Sequence, residues 1–219
     1  MYEFHFEEIL ARLPFLLDGV KVTVLVTSAS VVVGLVLGLF AALARLTELP
    51  VLGRLAALYV DFFRTTPLFV QLVWIFLVLP LITGWAISPF ASGVLALSLY
   101  GGAYFAEIYR SGIRTVERGQ WHGALALGMT YAQMMRRVIL PQAIVRMLPP
   151  FVGMFVALFK ESAVVSAIGV ADLTRQSLAL SAMSLRPFEV MTVMAGLYLM
   201  LTYPQTVFVN YLYRRLLSH

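Results

Sequence analysis

The chain has 219 residues, 61% of them apolar and 12% charged, with a net charge of +5 and no cysteine. The charged share is about half that of an ordinary soluble domain, so lipid is the expected solvent for most of the chain. Disulfides, thiol catalysis and Cys-based metal sites are excluded, and His5, His122 and His219 are too scattered for a metal centre.

Met1–Asp18 carries Glu3, Glu7, Glu8 and Asp18, the wrong sign for the basic start of a cleavable signal peptide. Within Met1–Lys21, Phe4, Phe6, Ile9, Leu10 and Leu13 recur at helical intervals, which predicts a short amphipathic helix along the membrane surface. Val22–Ala44 has no charge and its 23 residues can cross a hydrocarbon core of about 30 Å. Gly34 and Gly38 form a G-x-x-x-G pair for close helix packing.

Arg45–Arg54 reads as a short polar connection. The second apolar segment, about Leu55–Leu81, is interrupted by Asp61, Arg64, Thr65, Thr66 and Pro67. Asp61 and Arg64 have the i, i+3 spacing of a helix-face pair, and Pro67 removes a backbone donor and predicts a kink. Arg64, Thr65, Thr66 and Pro67 are read as gate or structure, with Arg64 snorkelling near the end of the span. Ile82–Pro89 is a loop. Phe90–Ala106 is the third span, with Tyr100 and Tyr104 one turn apart as candidate pathway residues, packing being the alternative.

Arg118–Pro150 lies between apolar segments yet carries Arg118, Arg136, Arg137 and Arg146 and no acidic residue. Such a segment belongs outside lipid. Gly128 suits the left-handed turn that closes a helix, and Thr130 with Gln133 has the spacing of a capping box opening another. Tyr131, Met134, Met135, Val138 and Ile139 then share one apolar face, with Pro141 expected to end the helix. Two readings are open: a pair of helices resting on headgroups or bundle, or a pair docking on a partner.

Phe151–Ile168 is the fourth span, broken by Lys160, Glu161 and Ser162. Ionisable groups at membrane depth cost at least about 2.5–3.5 kcal/mol and usually face an aqueous cavity or the bundle interior. Lys160 beside Glu161 suits a zwitterionic ligand; the alternative is an internal ion pair or a dimer seam. Gly169–Glu189 is a polar connection, and Val190–Tyr213 the fifth span, bent at Pro204. Arg45, Arg54, Arg110, Arg114, Arg118, Arg136, Arg137, Arg146, Arg214 and Arg215 fall on one side, against Arg12, Lys21, Arg175 and Arg186 on the other. The positive-inside rule makes the first side cytoplasmic, the N-terminus outside and the C-terminus inside. The expected fold is an all-α integral membrane protein of five transmembrane helices, one domain over 1–219. With no phosphate-binding G-x-x-x-x-G-K-[ST] motif and no nucleophile–base arrangement, no catalysis and no nucleic-acid partner are expected in this chain.

His122, Gly123, Ala124, Gly128, Ile139, Leu140 and Pro141 resemble the EAA loop of bacterial ABC importer permeases, with His122 at the acidic position and Gly123 at the first alanine. Phe63–Leu68, Ala103–Gly112 and Phe159–Ala163 are similar to segments of the polar amino acid permeases. Met1–Phe4, Leu16–Gly19 and Ala124–Thr130 look most like glutamate/aspartate import permeases. The resemblance implies a type I permease fold in the bacterial inner membrane, with a cytoplasmic coupling loop at about 110–149. It also implies a second permease, like or unlike, an extracytoplasmic solute-binding protein, and two ATPase subunits that hold ATP and Mg. His122, Gly123, Ala124, Gly128, Tyr131, Met134, Met135, Ile139 and Pro141 would couple to the ATPase. Lys160 and its neighbours would contact the amino acid's α-carboxylate and α-amino groups. Basic or neutral polar amino acids are the alternative substrates. An ion-coupled secondary transporter is the alternative mechanism, for which no internal repeat is evident.

Overall fold

Long apolar stretches can satisfy their backbone N–H and C=O groups in lipid only by coiling into helices or closing a barrel. The chain takes the first course. The computed structural model describes residues 4–47 and 49–217, with backbone alone at 209–210 and 212–217. Along it run α1 (Phe6–Ala11), α2 (Leu13–Leu46), α3 (Pro50–Thr65), α4 (Leu68–Thr83) and α5 (Pro89–Arg114). They are followed by α6 (Arg118–Ala126), α7 (Tyr131–Ile168), α8 (Leu173–Ser184) and α9 (Pro187–Leu217), with no strand among the described residues. The expected likeness at Met1–Glu3 lies outside those residues.

Helices α2 and α7 are each long and apolar enough to cross a membrane, and α3 with α4 passes the same test as one broken span. Helix α5 has 26 residues but owes a lower hydropathy to Ser92, Ser98, Tyr100, Gly101, Gly102 and Tyr104. Ser92, Ser98, Gly101 and Gly102 are buried against neighbouring helices, so α5 is a central helix that other helices line.

Helix α2 is longer than the uncharged stretch predicts. It begins at Leu13 and ends at Leu46, leaving little of the Arg45–Arg54 connection. The surface helix shrinks to α1, whose Ile9 is fully buried with Leu16, Leu173, Leu180 and Val190. Burying Ile9 against protein wins over laying α1 flat on lipid.

The closest crossing is between α2 and α5. A Cβ built on Gly38 would lie 2.7 Å from the Phe105 Cβ, and one on Gly34 would lie 3.2 Å from the Gly102 backbone nitrogen. The G-x-x-x-G pair is therefore a packing device. Val26, Leu72, Leu97, Phe105, Leu158 and Val165 fill the core that α2, α4, α5 and α7 share.

Prolines behave differently at two places. At Pro67 the span breaks outright: α3 and α4 meet at 108°. Thr66 is extended, with φ −90° and ψ 142°, as steric conflict with a following proline ring demands. Pro141, in contrast, does not end its helix. A π-helical turn over Met135–Ile139 widens the coil just ahead of Pro141 and relieves the clash with the preceding turn. The same device, Trp74–Val78, precedes Pro80 in α4. The loop's second helix and the fourth span are consequently one helix, α7, of 38 residues.

The Gly169–Glu189 connection is largely helical too. Asp172 is fully buried and caps α8, accepting from Thr174 N at 3.2 Å and Arg175 N at 3.0 Å. Thr23 of α2 accepts from Leu173 N at 3.0 Å, so α8 is fastened to the N-terminal half of α2. Arg186 pairs with Glu8 at 3.0 Å at that same end, while Arg45 and Arg110 gather on Glu107 at the other.

Candidate transport pathway and coupling segment

The break at Thr66-Pro67 leaves carbonyls of α3 without helical partners, a costly state away from water. Gln71 of α4 answers it. Its Nε2 donates to Phe63 O and Thr66 O, both at 3.0 Å, and to Thr66 Oγ1 at 2.7 Å. Thr65 and Thr66 turn their hydroxyls back onto Asp61 O and Phe62 O, each at 2.7 Å. These three side chains hold an elbow. A mainly apolar cavity of about 340 Å³ lies in it, lined by Phe62, Phe63, Trp74 and Leu99 among others. Composition could flag Gln71 only as a polar residue in an apolar run, and its role shows only once the bend is known.

Arg64 sits in the last turn of α3, at the elbow, and shares the Glu107 carboxylate with Arg45 of the last turn of α2. Its expected pairing with Asp61 does not form. The guanidinium lies over the Tyr104 ring, 5.2 Å from its centroid, and 3.9 Å from Glu107 Oε2. Cation–π attraction and a carboxylate already gathering cations outcompete an i, i+3 partner on an exposed face. Glu107 also accepts from Arg45 Nη1 at 2.8 Å and Arg110 Nε at 3.2 Å, with a further bond from Arg110 Nη2 to Oε1. It lies just past the uncharged stretch of α5. The hydrogen bond from Arg110, with help from Arg45, holds its carboxyl below the usual carboxylate range against the opposing effect of burial.

From Arg64 a polar line runs inward. Tyr104 packs on Tyr100 with ring centroids 4.9 Å apart. Arg64, Tyr104 and Tyr100 are therefore brought together from α3 and α5, and Glu161 of α7 is half-buried. Lys160 is not part of this group. It is exposed on the chain's surface, and among the described residues it forms no ion pair with Glu161. The internal-pair alternative fails because neighbours one residue apart point about a quarter-turn away from each other on a helix. Ser162 is fully buried and donates to Phe159 O at 2.7 Å, so its hydroxyl is already engaged.

The coupling segment has the local geometry its sequence demands. Gly128 sits at φ +71° with nothing within 4 Å of an added Cβ, so its requirement is conformational. The capping box closes with Thr130 N to Gln133 Oε1 at 3.0 Å and Gln133 N to Thr130 Oγ1 at 3.4 Å. The apolar face behind it is divided. Ala124, Met134 and Ile139 are buried with Ile113, Val116 and Met147, Met135 and Val138 are half-buried, and Tyr131 is 65% exposed. His122, Gly123 and Pro141 lie on the surface. Leu125 and Leu127, not singled out by periodicity, are 56% and 77% exposed beside Tyr131 in sequence. The sequence signal that could have found them is two leucines flanking a turn in a segment too basic for lipid.

The sequence pattern of the family described as "Binding-protein-dependent transport system inner membrane component" matches residues 34–218. The chain belongs to this family. Among its relatives, the glutamate/aspartate import permease protein GltK of Escherichia coli O157:H7 is 34% identical, over 98% of this chain and 99% of its own. The arginine transport system permease protein ArtQ of Bacillus subtilis is 37% identical over 78% of each chain. A solved amino acid ABC transporter, crystallised with histidines, superposes with a TM-score of 0.93 at 37% identity, covering 98% of this chain and 100% of its own. The helices therefore assemble into the permease fold of ABC transporters, and the resemblance at His122–Pro141, Phe63–Leu68 and Ala103–Gly112 belongs to that family.

Proposed function

We propose that this chain is the membrane-spanning permease subunit of an ATP-driven importer of polar amino acids, with glutamate and aspartate its favoured substrates. The observation that carries the reading is the cluster Arg64–Tyr104–Tyr100 beneath a broken span, in a chain whose relatives along its length are amino acid permeases. The Arg64 guanidinium beside two tyrosines and the half-buried Glu161 carboxylate offer opposite charges to a zwitterion. Arg64 meets a carboxylate, Glu161 an ammonium group, and the tyrosines supply neutral hydroxyls. Lys160, exposed on this chain, faces the second permease or the pathway between the two.

Five crossings, α2, α3–α4, α5, α7 and α9, place the N-terminus outside and the C-terminus in the cytoplasm of an inner-membrane protein. The arginine-rich end of the bundle then faces the ATPase pair, on which ATP and Mg reside, and an extracytoplasmic binding protein delivers substrate to the other end. Tyr131, Leu125 and Leu127 around Gly128 form the contact with the ATPase. The buried Met134 and Ile139 carry its motion into α7, which runs without interruption from the coupling segment to Glu161.

Basic amino acids are the second reading, supported by the 37% identity to ArtQ and by the absence of an ion-paired cation at Glu161 among the described residues. The test is uptake of labelled aspartate into proteoliposomes holding the permease with its co-purifying membrane partners and ATPase, the binding protein outside and ATP inside. ATP-dependent uptake displaced by glutamate alone is expected. Displacement by arginine or histidine would overturn the acidic substrate, and uptake driven by an ion gradient without ATP would overturn the importer mechanism.

A further inference from the structure

Below the coupled charges on Glu107, α2, α5 and α6 enclose a recess of about 660 Å³ lined by Leu46, Ile113, Arg114, Val116, Arg118, Trp121 and His122. Its two halves differ in chemistry. Leu46, Ile113 and Val116 continue the apolar surfaces of α2 and α5, whereas Arg114, Arg118 and His122 form a basic rim, and the half-buried Trp121 sits between. Arg45 and Arg110 are committed to Glu107 and Arg186 to Glu8. Arg114 and Arg118 are different. Among the described residues neither has an ion-pair partner, Glu117 included, and both are exposed.

From this arrangement we infer that the recess binds the phosphodiester headgroup of an anionic membrane lipid, with the acyl chains following the Leu46–Ile113 wall back to the bilayer. Guanidinium forks match phosphate oxygens in geometry as well as charge, and basic pockets between membrane helices are fitted to acidic headgroups. A tryptophan at the join of apolar and basic walls suits the headgroup level, where its ring is apolar and its N–H is wet. The apolar wall distinguishes a lipid from a free anion, which would gain nothing from Leu46 or Ile113. Leu46 ends α2 and Arg118 opens α6, so the headgroup ties the last turn of a spanning helix to the coupling segment. The inference stands apart from the choice of transported substrate.

The experiment is native mass spectrometry of the purified permease–ATPase complex, delipidated and titrated with phosphatidylglycerol or phosphatidylcholine. Selective retention of phosphatidylglycerol is expected, undiminished by millimolar inorganic phosphate. Arg114→Gln with Arg118→Gln should weaken it about tenfold or more, while Arg136→Gln with Arg137→Gln, an equal loss of charge outside the recess, leaves it unchanged. Equal retention of both lipids overturns the proposal, as does equal weakening by the two double variants. Displacement by inorganic phosphate would make the recess a free-anion site and overturn the lipid. The comparison of lipids and phosphate uses the unaltered chain, so it decides the matter even where a variant fails to fold.

Discussion

Arg45, in the last turn of α2, donates Nη1 to Glu107 Oε2 of α5 at 2.8 Å, and this contact is one spoke of a wheel. Arg110 of the same helix and Arg64 of α3 converge on the same carboxylate. One anion therefore ties together three helices that also meet through apolar surface, close glycine contacts and the hydrogen bonds Tyr59 Oη to Leu99 O and Ser30 Oγ to Val94 O.

Glu107→Gln removes the hub's charge and leaves three guanidiniums facing one another. Removing one partner of a largely buried ion pair costs about 3–5 kcal/mol; here partial exposure lowers that to about 1–3 kcal/mol. The variant should melt several degrees lower in detergent. The sign with pH follows from the depressed carboxyl. Its stabilisation is complete above the unfolded value of about 4.3 and is lost as pH falls below that toward the lower folded value. Thermal melts from pH 7 to 3 should show a steepening loss below about pH 4 in the wild type that the variant lacks. Parallel curves would remove the hub from the account.

Much of this architecture is legible in the sequence, for identifiable reasons. Uncharged runs fix α2 and the body of α7, because lipid leaves the backbone no alternative. Gly128, Thr130 and Gln133 fix their turn through local geometry alone. What sequence periodicity misses depends on partners far along the chain. Pro141 reads as a stop until the π turn before it is known, and Gly169–Glu189 reads as a loop because its apolar anchors, Leu173 and Leu180, are too few to signal a helix before they meet Ile9 and Leu16. Arg64 and Asp61 are spaced to pair, yet Glu107 is 43 residues away in sequence and wins.

Gly38 leaves less room than Gly34. A Cβ at Gly38 meets Phe105 Cβ at 2.7 Å and Gly102 O at 2.8 Å, both rigid neighbours, whereas at Gly34 the approach is 3.2 Å or longer. Gly38→Ala should destabilise the α2–α5 crossing by about 1–3 kcal/mol, as overpacking in a core does. Gly34→Ala should cost less, and Gly153→Ala, where nothing lies within 4 Å, should be neutral or slightly favourable. Detergent melting temperatures in any other order would contradict the packing.

Gln71→Leu tests the elbow. The leucine keeps roughly the volume but withdraws the donor from Phe63 O and Thr66 O. A buried carbonyl left without a partner costs about 1–3 kcal/mol, so the loss should exceed that expected for an isosteric apolar swap. Hydrogen exchange should rise around 63–71 before the rest of the bundle. Unchanged exchange there would show that the break does not depend on Gln71.

Gly128 distinguishes conformation from contact. Its φ of +71° costs an ordinary L-residue about 1–2 kcal/mol, while asparagine tolerates that region better than other side chains. Gly128→Asp adds an anion to the same strain and should abolish ATP-dependent uptake with membrane insertion intact. Gly128→Asn should retain a substantial fraction. Near-normal uptake by Gly128→Asp would sink the role of this turn in coupling.

Exposure separates two kinds of residue on the coupling segment. Leu127 and Tyr131 are 77% and 65% exposed, whereas Met134 is 3% exposed within the chain's own core. Leu127→Ser and Tyr131→Ala should leave the permease's melting temperature within about 0.5 kcal/mol equivalent of the wild type, as surface changes do, yet release the ATPase during purification. Met134→Ala should do the reverse. It creates a cavity worth about 2–5 kcal/mol, lowering the melting temperature while the docking surface keeps its chemistry. Co-purified ATPase per permease, measured beside the melting temperature, reads both effects at once. Loss of ATPase in step with loss of stability across all three variants would mean that the exposed patch has no docking role of its own.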